Sequence, residues 1–341
     1  MIEQVYSKPD IYKIHVPLPK NPLKNLNSYF IKGKERNLLI DTGFNQPECY
    51  EALREGLKEL DADMNHTDIF ITHLHADHSG LVKKIMTPDT TIYFSQKDYH
   101  YLIEYLITNR WEEIDEKFYQ EGVPWGILES LRKTNPSKVL TPEGSFPVSI
   151  VADGDKIKVD EYEFTCVATP GHTPEHMCLY LKSEQLIFLG DHVLFDITPN
   201  ITLWHGYSDS LGAYLNSLKK VKKLKVKTCM PAHRNTSTAF YERIDYIMEH
   251  HKERLEEVLH ILAKDNRRLS AYETAQEMKW RIRGNGWEDF PNNQKWFATG
   301  EAMAHLDYLV QREYIIRKEN EGKFYYEMNP LADKRMLQVI M

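Results

Sequence analysis

Residues Thr72 to Gly80 read T-H-L-H-A-D-H-S-G, and the spacing inside this stretch decides the fold. His73, His75, Asp77 and His78 place four metal-capable side chains in six positions. They cannot all serve one ion, because the spacing points them two ways. His73 and His75 lie two apart and face the same side if the chain is extended there. Asp77 and His78 follow in a turn and can reach a second ion. The apolar run Asp68–Thr72 just before predicts a short buried strand, and Ser79-Gly80 followed by Leu81–Ile85 predicts a helix start. The cluster therefore sits at the carboxyl end of a strand, where open α/β sheets hold their ligands. A buried set of imidazoles with no metal would leave donors and charges uncompensated.

The same logic finds more ligands downstream. Phe164–Thr169 has a strand pattern and ends in Pro170-Gly171-His172-Thr173. Leu186–Leu189 ends in Gly190-Asp191-His192, and Thr228–Met230 ends in Pro231-Ala232-His233. Each apolar run delivers one His or Asp at its carboxyl end.

With these motifs the chain resembles the metallo-β-lactamase fold superfamily of metal-dependent hydrolases. Five motifs carry the resemblance: Asp41 in Leu39-Ile-Asp-Thr-Gly43, the block from Thr72, His172, Asp191 and His233. They span roughly residues 10 to 240. The resemblance implies an α/β fold, an αββα sandwich with two metals at one edge of its sheets. It implies that His73, His75 and His172 hold the first metal. Asp77, His78 and His233 would hold the second, with Asp191 bridging the two. The antibiotic-degrading branch of the family carries Cys at that bridge. Asp191 thus points away from β-lactams and toward the broader hydrolase branch.

The donor chemistry supports the same expectation. Five imidazoles and two carboxylates suit zinc first, with iron or manganese as alternatives. Two divalent ions a few ångströms apart share a hydroxide near neutral pH, which attacks an electrophilic carbonyl or phosphorus. Asp77 gains a second expected role, orienting that hydroxide or carrying its proton. Asp41 is expected behind the ligands, fixing an imidazole tautomer by a hydrogen bond. A plain strand-to-turn Asp before Gly43 is the competing reading.

The chain has 341 residues, enough for one large and one small domain. Its net charge of −7 argues against nucleic acid or an acidic membrane as partner. Cys49, Cys166, Cys178 and Cys229 are scattered in apolar runs, as expected of free thiols in a reducing cytoplasm. The opening residues lack the apolar core of a signal peptide, and no apolar run approaches membrane-spanning length.

Ile11–Val16, Asn27–Ile31, Arg36–Ile40 and Ile92–Ser95 read as strands, and Gln46–Leu60 as an amphipathic helix. Gln96–Asn135 is aromatic, charged and helical in spacing, an insertion that either packs as a satellite core or caps the cleft. Leu211–Leu224 is a further helix leading into a solvated lysine run. The catalytic domain is expected over 1–237, and a linking helix plus small domain over 238–341.

In that tail, Thr238–Ala263 and Thr299–Arg312 read as helices, and Ser270-Ala-Tyr-Glu273 as a capping box opening another. A hairpin around Glu319–Gly322 follows, and the order resembles a winged helix. From Asp265 onward there are 12 Lys+Arg and 12 Asp+Glu, and the third helix carries Glu301, Asp307 and Glu313 against Arg312. DNA binders present a basic face, so a structural or dimer-forming role is expected. The reading is a cytoplasmic dinuclear hydrolase of a small ester, thioester or lactone, related to hydroxyacylglutathione hydrolases. A ribonuclease or phosphodiesterase is the alternative. Substrate-contact candidates are Glu175, His176, His192, Trp204, His205 and Tyr207. The expected partners are a small-molecule substrate and, in the assembly, a second copy of the chain.

Overall fold

The computed structural model describes residues 2–108, 110–280 and 286–332. Its contacts divide the chain into two compact units, one of 1–108, 136–199 and 219–243, the other of 109–135, 200–218 and 244–341.

The first unit is built on two mixed sheets. One runs in chain order from β1 to β7: β1 (Ile2–Ser7), β2 (Asp10–Pro17), β3 (Asn25–Lys32), β4 (Asn37–Ile40), β5 (Thr67–Phe70), β6 (Ile92–Ser95) and β7 (Ser149–Val151). Strands β1 to β4 pair antiparallel, and β4 to β7 pair parallel. The other sheet has the order β12-β11-β10-β9-β8, from β8 (Lys156–Val159), β9 (Tyr162–Ala168), β10 (Met177–Leu181), β11 (Leu186–Gly190) and β12 (Thr228–Pro231). Ile11, Tyr29, Ile31, Ile40 and Phe70 of the first sheet meet Ile157, Phe164, Leu179, Phe188 and Met230 of the second in one core. Helices pack against strands β2 and β6 of the first sheet. In α1 (Pro47–Glu59), Pro47 starts the helix and Cys49, Leu53, Gly56 and Leu57 face inward. A Cβ on Gly56 would meet Ile14 of β2 at 2.5 Å, so glycine sets how closely α1 packs. Short helices α2 (Ala76–Ser79) and α3 (Val82–Ile85) follow β5, and α4 (Gln96–Ile107) follows β6.

Strand direction places the site. β4 and β5 are parallel, so Asp41 and Thr72–His75 emerge at one edge. β9 and β11 are both antiparallel to β10, and β11 is parallel to β12. The carboxyl ends of β9, β11 and β12 therefore share an edge, which delivers His172, Asp191 and His233 together.

The second unit contains α5 (Arg110–Gln120), α6 (Trp125–Leu131), α9 (Phe240–Ala263, from Ile244), α10 (Ala271–Glu277), α11 (Asn292–Gln311) and a hairpin of β13 (Ile315–Asn320) and β14 (Lys323–Met328). Two further helices lie earlier in the chain, α7 (Pro136–Val139) in the first unit and α8 (Ser210–Val221) on the boundary. The expected 96–135 insertion is helical, with α4 in the first unit and α5 and α6 in the second. Phe118 of α5 stacks on Trp296 of α11 at 4.7 Å, an aromatic core contact rather than a loose loop. The capping box forms: Ser270 and Glu273 satisfy each other's backbone amides. Glu321 and Gly322 both have positive φ, the mark of a two-residue type I′ turn.

Some element bounds differ from the sequence expectation. α11 starts at Asn292 behind Pro291, seven residues before Thr299, because Lys295 to Leu309 is buried almost throughout. Glu301 and Asp307, counted above against nucleic acid, turn inward. Glu301 lies 3.4 Å from Arg254, and Asp307 accepts the Asp209 amide at 2.7 Å. Strands β1, β7, β8 and β10 are additions to the sequence reading; β1 and β7 are short edge strands with half-exposed patterns that periodicity does not separate from loop. All four cysteines are buried and free. Among the described residues, no helix is long and apolar enough to cross a membrane.

Glu121, at the end of α5, is fully buried and accepts the Tyr326 hydroxyl at 2.9 and 3.0 Å. Burial pushes its carboxyl up to about 7, against the pull of the Tyr326 hydroxyl and of Lys117. Between 4.5 and about 7 the folded chain then binds a proton that the unfolded chain has released. Stability from this group is lost as pH rises through that window. Denaturant unfolding at a series of pH values should show this fall in the wild type and its absence in Glu121→Gln. Parallel profiles for the two proteins would contradict it.

Candidate metal centre

All seven donors expected from the sequence converge at the shared edge of the two sheets. His73 Nε2 lies 3.0 Å from His75 Nδ1, and His172 Nε2 lies 3.1 Å from the same atom. Nitrogens at ~2.0–2.1 Å from one tetrahedral ion stand roughly 3.3 Å apart, so this triangle has the size of a ligand set. Asp77, His78 and His233 form a second group, with His233 Nε2 3.3 Å from His78 Nε2 and 3.4 Å from Asp77 Oδ2. Asp191 lies between the groups and divides its oxygens. Oδ2 faces His172 Nε2 at 3.6 Å, while Oδ1 faces His233 Nε2 at 3.3 Å and His78 Nε2 at 3.6 Å. Oδ1 is buried without a directional hydrogen bond. A bridging carboxylate would leave that oxygen in this way.

The tautomers are set from behind. Asp41 is buried with φ +60° and accepts His78 Nδ1–H at 2.7 Å, the Thr72 amide at 2.9 Å and the Thr72 hydroxyl at 2.9 Å. Thr72 Oγ1 spends its hydrogen on Asp41, so at 3.0 Å it accepts from His73 Nδ1–H. His233 Nδ1–H donates to the Asn25 carbonyl at 2.8 Å. In all three rings Nε2 is turned into the site. One carboxylate, Asp41, thus orients an imidazole in each group.

Electrostatics favours cations here. Asp41, Asp77 and Asp191 are only 1, 8 and 6 % exposed. Buried anions at this density demand positive charge nearby. Burial and the neighbouring imidazoles hold His73 well below its ordinary value, and burial with His172 holds His75 down at about 3. Those rings are neutral, with lone pairs available. Burial opposes charge on His78, yet Asp41, Asp77 and Asp191 raise it to about 10. Burial likewise raises Asp77, but His78 and His233 override it and hold the carboxyl well below the usual range. The site collects protons where a dication would replace them. The donor set fits divalent ions of the zinc and iron type.

The substrate-contact candidates divide. His176 is fully buried; its Nε2 accepts the Asp191 amide at 3.1 Å, so Nδ1–H donates to Thr169 Oγ1 at 2.8 Å. Both nitrogens serve the fold, and the ring holds Asp191 in place. Glu175 is half-buried and accepts the Lys97 amide at the start of α4 at 2.7 Å. His192 is buried, its ring 6.1 Å from that of His176. Trp204, His205 and Tyr207 belong to the second unit. There the Trp204 carbonyl accepts the Tyr207 amide at 3.2 Å, and His205 lines a cavity of about 740 Å³ with Trp125, Arg132 and Phe324. None of the seven donors lines that cavity.

Three residues escape sequence reasoning: Thr72, Thr169 and Asp98. Asp98 accepts bonds from both ligand-bearing loops. As one acid in the first turn of a helix it carries no motif.

A two-sheet sandwich with paired His/Asp donor groups at the strand ends defines a metal-dependent hydrolase fold. Residues 22–233 match the metallo-beta-lactamase superfamily, and the chain belongs to it. It is 24 % identical over 318 residues to the lactamase-like protein adaB of Aspergillus niger, covering 83 % of each chain. It is 25 % identical over 270 residues to an atrochrysone carboxyl ACP thioesterase of Aspergillus fumigatus, 79 % of this chain and 48 % of that one. A metallo-beta-lactamase family protein of Thermus thermophilus superposes with a TM-score of 0.76 at 25 % identity, covering 93 % of this chain and 98 % of that one.

Gly190 has φ +50°, and a Cβ there would stand 2.5 Å from His176 Nε2. Gly190→Ala should displace His176, release the Asp191 amide and cost roughly 1–3 kcal/mol. Thermal unfolding of the metal-free variant checks this; an unchanged midpoint would contradict it.

Proposed function

We propose that the protein is a dinuclear metallohydrolase of acyl thioesters and related small esters or lactones. The observation that carries the reading is the division of Asp191, one oxygen toward each donor group. His73, His75 and His172 would hold one divalent ion, Asp77, His78 and His233 the other, with zinc the preferred metal. Bound ions supply a hydroxide at neutral pH and polarise the carbonyl under attack.

The chain's own residues do the rest. The Asp41–Thr72–His73 relay and the Asp41–His78 bond keep the ligand rings in one tautomer, so no reorganisation is needed during reaction. His176 fixes the Asp191 backbone. Asp77 would orient the nucleophile or carry its proton to the leaving thiol or alcohol. Support for an acyl substrate comes from the thioesterase relative, and Asp rather than Cys at position 191 points away from β-lactams. The tail from 238 onward is, on this reading, a winged-helix-like add-on with a structural role, and the protein is cytoplasmic.

Chelation should abolish hydrolysis of pantetheine-type thioesters, and zinc should restore it. Asp191→Ala and His75→Ala should each cost at least about 100-fold in kcat while the circular dichroism spectrum stays native. Turnover of phosphodiesters with none of thioesters, esters or lactones would replace this reading by the nuclease one.

The net-zero tail leads to a separate expectation. With 12 Lys+Arg against 12 Asp+Glu from Asp265 onward and Glu321 at the tip of the hairpin, few counterions would be released on DNA. Electrophoretic mobility assays at physiological salt should show no shift of duplex DNA. Salt-sensitive micromolar binding would contradict it.

A further inference from the structure

Asp98 stands outside the seven-donor set, in the first turn of α4, and is fully buried. Its two oxygens accept three hydrogen bonds. Oδ2 takes the Leu74 amide at 3.1 Å and the Thr173 hydroxyl at 2.5 Å, and Oδ1 takes the Glu175 amide at 2.7 Å. Leu74 lies between His73 and His75, and Thr173 follows His172. All three donors therefore belong to chain that carries the first imidazole triangle. The contact is reciprocal: Glu175 Oε2 accepts the Lys97 amide, which precedes Asp98.

We propose that Asp98 is the positioning residue for the first ion, locking the 73–75 loop to the 172–175 loop so that the three imidazole nitrogens stay converged. The proposal rests on the dinuclear reading above. The triangle is assembled from loops about 100 residues apart in sequence, so chain connectivity alone does not hold His172 against His73 and His75. A carboxylate can accept on both oxygens at once, and three bonds to two loops make a rigid clamp. Asparagine cannot replace it. Its single carbonyl replaces one of the two oxygens, and its NH2 then faces the backbone N–H that the other oxygen accepts, Glu175 or Leu74 according to the flip. Asp41 works differently, through the rings of His78 and His73. The bonds of Asp98 go to backbone and hydroxyl beside the first triangle, so its loss should act on one ion and spare the other.

The test is a titration of metal-free full-length protein with Co²⁺, followed by visible absorption, and with Zn²⁺ against a chromophoric chelator. Wild type should take up two ions. Asp98→Asn should keep one at wild-type affinity and bind the other about 10–100-fold more weakly, with the absorption of the all-imidazole site lost. Thr173→Val deletes one of the three bonds at nearly constant volume and should weaken the same ion several-fold. It carries the test if Asp98→Asn does not fold. Two ions at wild-type affinity in the folded variants, or equal weakening of both, would overturn the proposal alone. Fewer than two ions in the wild type would overturn the dinuclear reading, and the proposal with it.

Discussion

Three carboxylates buried beside five imidazoles constrain everything else in this molecule. Asp41, Asp77 and Asp191 are out of water, and the rings around them are turned so that their Nε2 atoms face inward. Such a cluster is unfavourable unless cations share it, and the protein's own protons meet that need only in part. His78 is drawn up to about 10 while His75 is driven down to about 3, a few ångströms apart. The divergence expresses a site divided between an anionic side and an imidazole side. Asp191 spans the two.

The sandwich exists, in functional terms, to hold that cluster at one edge. Strands β5, β9, β11 and β12 each run into a turn at that edge, and the turn carries the candidate donors. The turns are tight. Asp41 and Gly190 both take positive φ, and the two loops bearing the first triangle are tied to α4 by Asp98 and Glu175. A short side chain or a wrong backbone angle at these points moves a donor atom. The rigidity of the two sheets makes such a shift costly.

Much of this is legible in the sequence. The H-x-H-x-D-H run packs its donors at spacings that only a turn after a strand reconciles, and His172, Asp191 and His233 each follow an apolar strand pattern. The remainder is not legible because it depends on distant pairs. Asp98 looks like an ordinary helix-start acid until Leu74 and Glu175 arrive beside it. His176 looks like a substrate-contact candidate, four residues past His172, until folding brings the Asp191 amide onto its Nε2. Glu301 and Asp307 look like surface charge, although Arg254 and the Asp209 amide claim them. Edge strands β1 and β7 lack the alternation that marks a half-buried strand. For Asp98, Glu301 and Asp307 the deciding partner lies tens of residues away.

A dinuclear centre requires that two ions share Asp191. Anomalous diffraction from crystals of the metal-loaded protein, recorded across the absorption edge of the metal, tests this most directly. Two peaks per chain are expected, one inside the His73, His75 and His172 triangle and one beside Asp77, His78 and His233, with Asp191 between them. A single peak, or two peaks away from these residues, would contradict it.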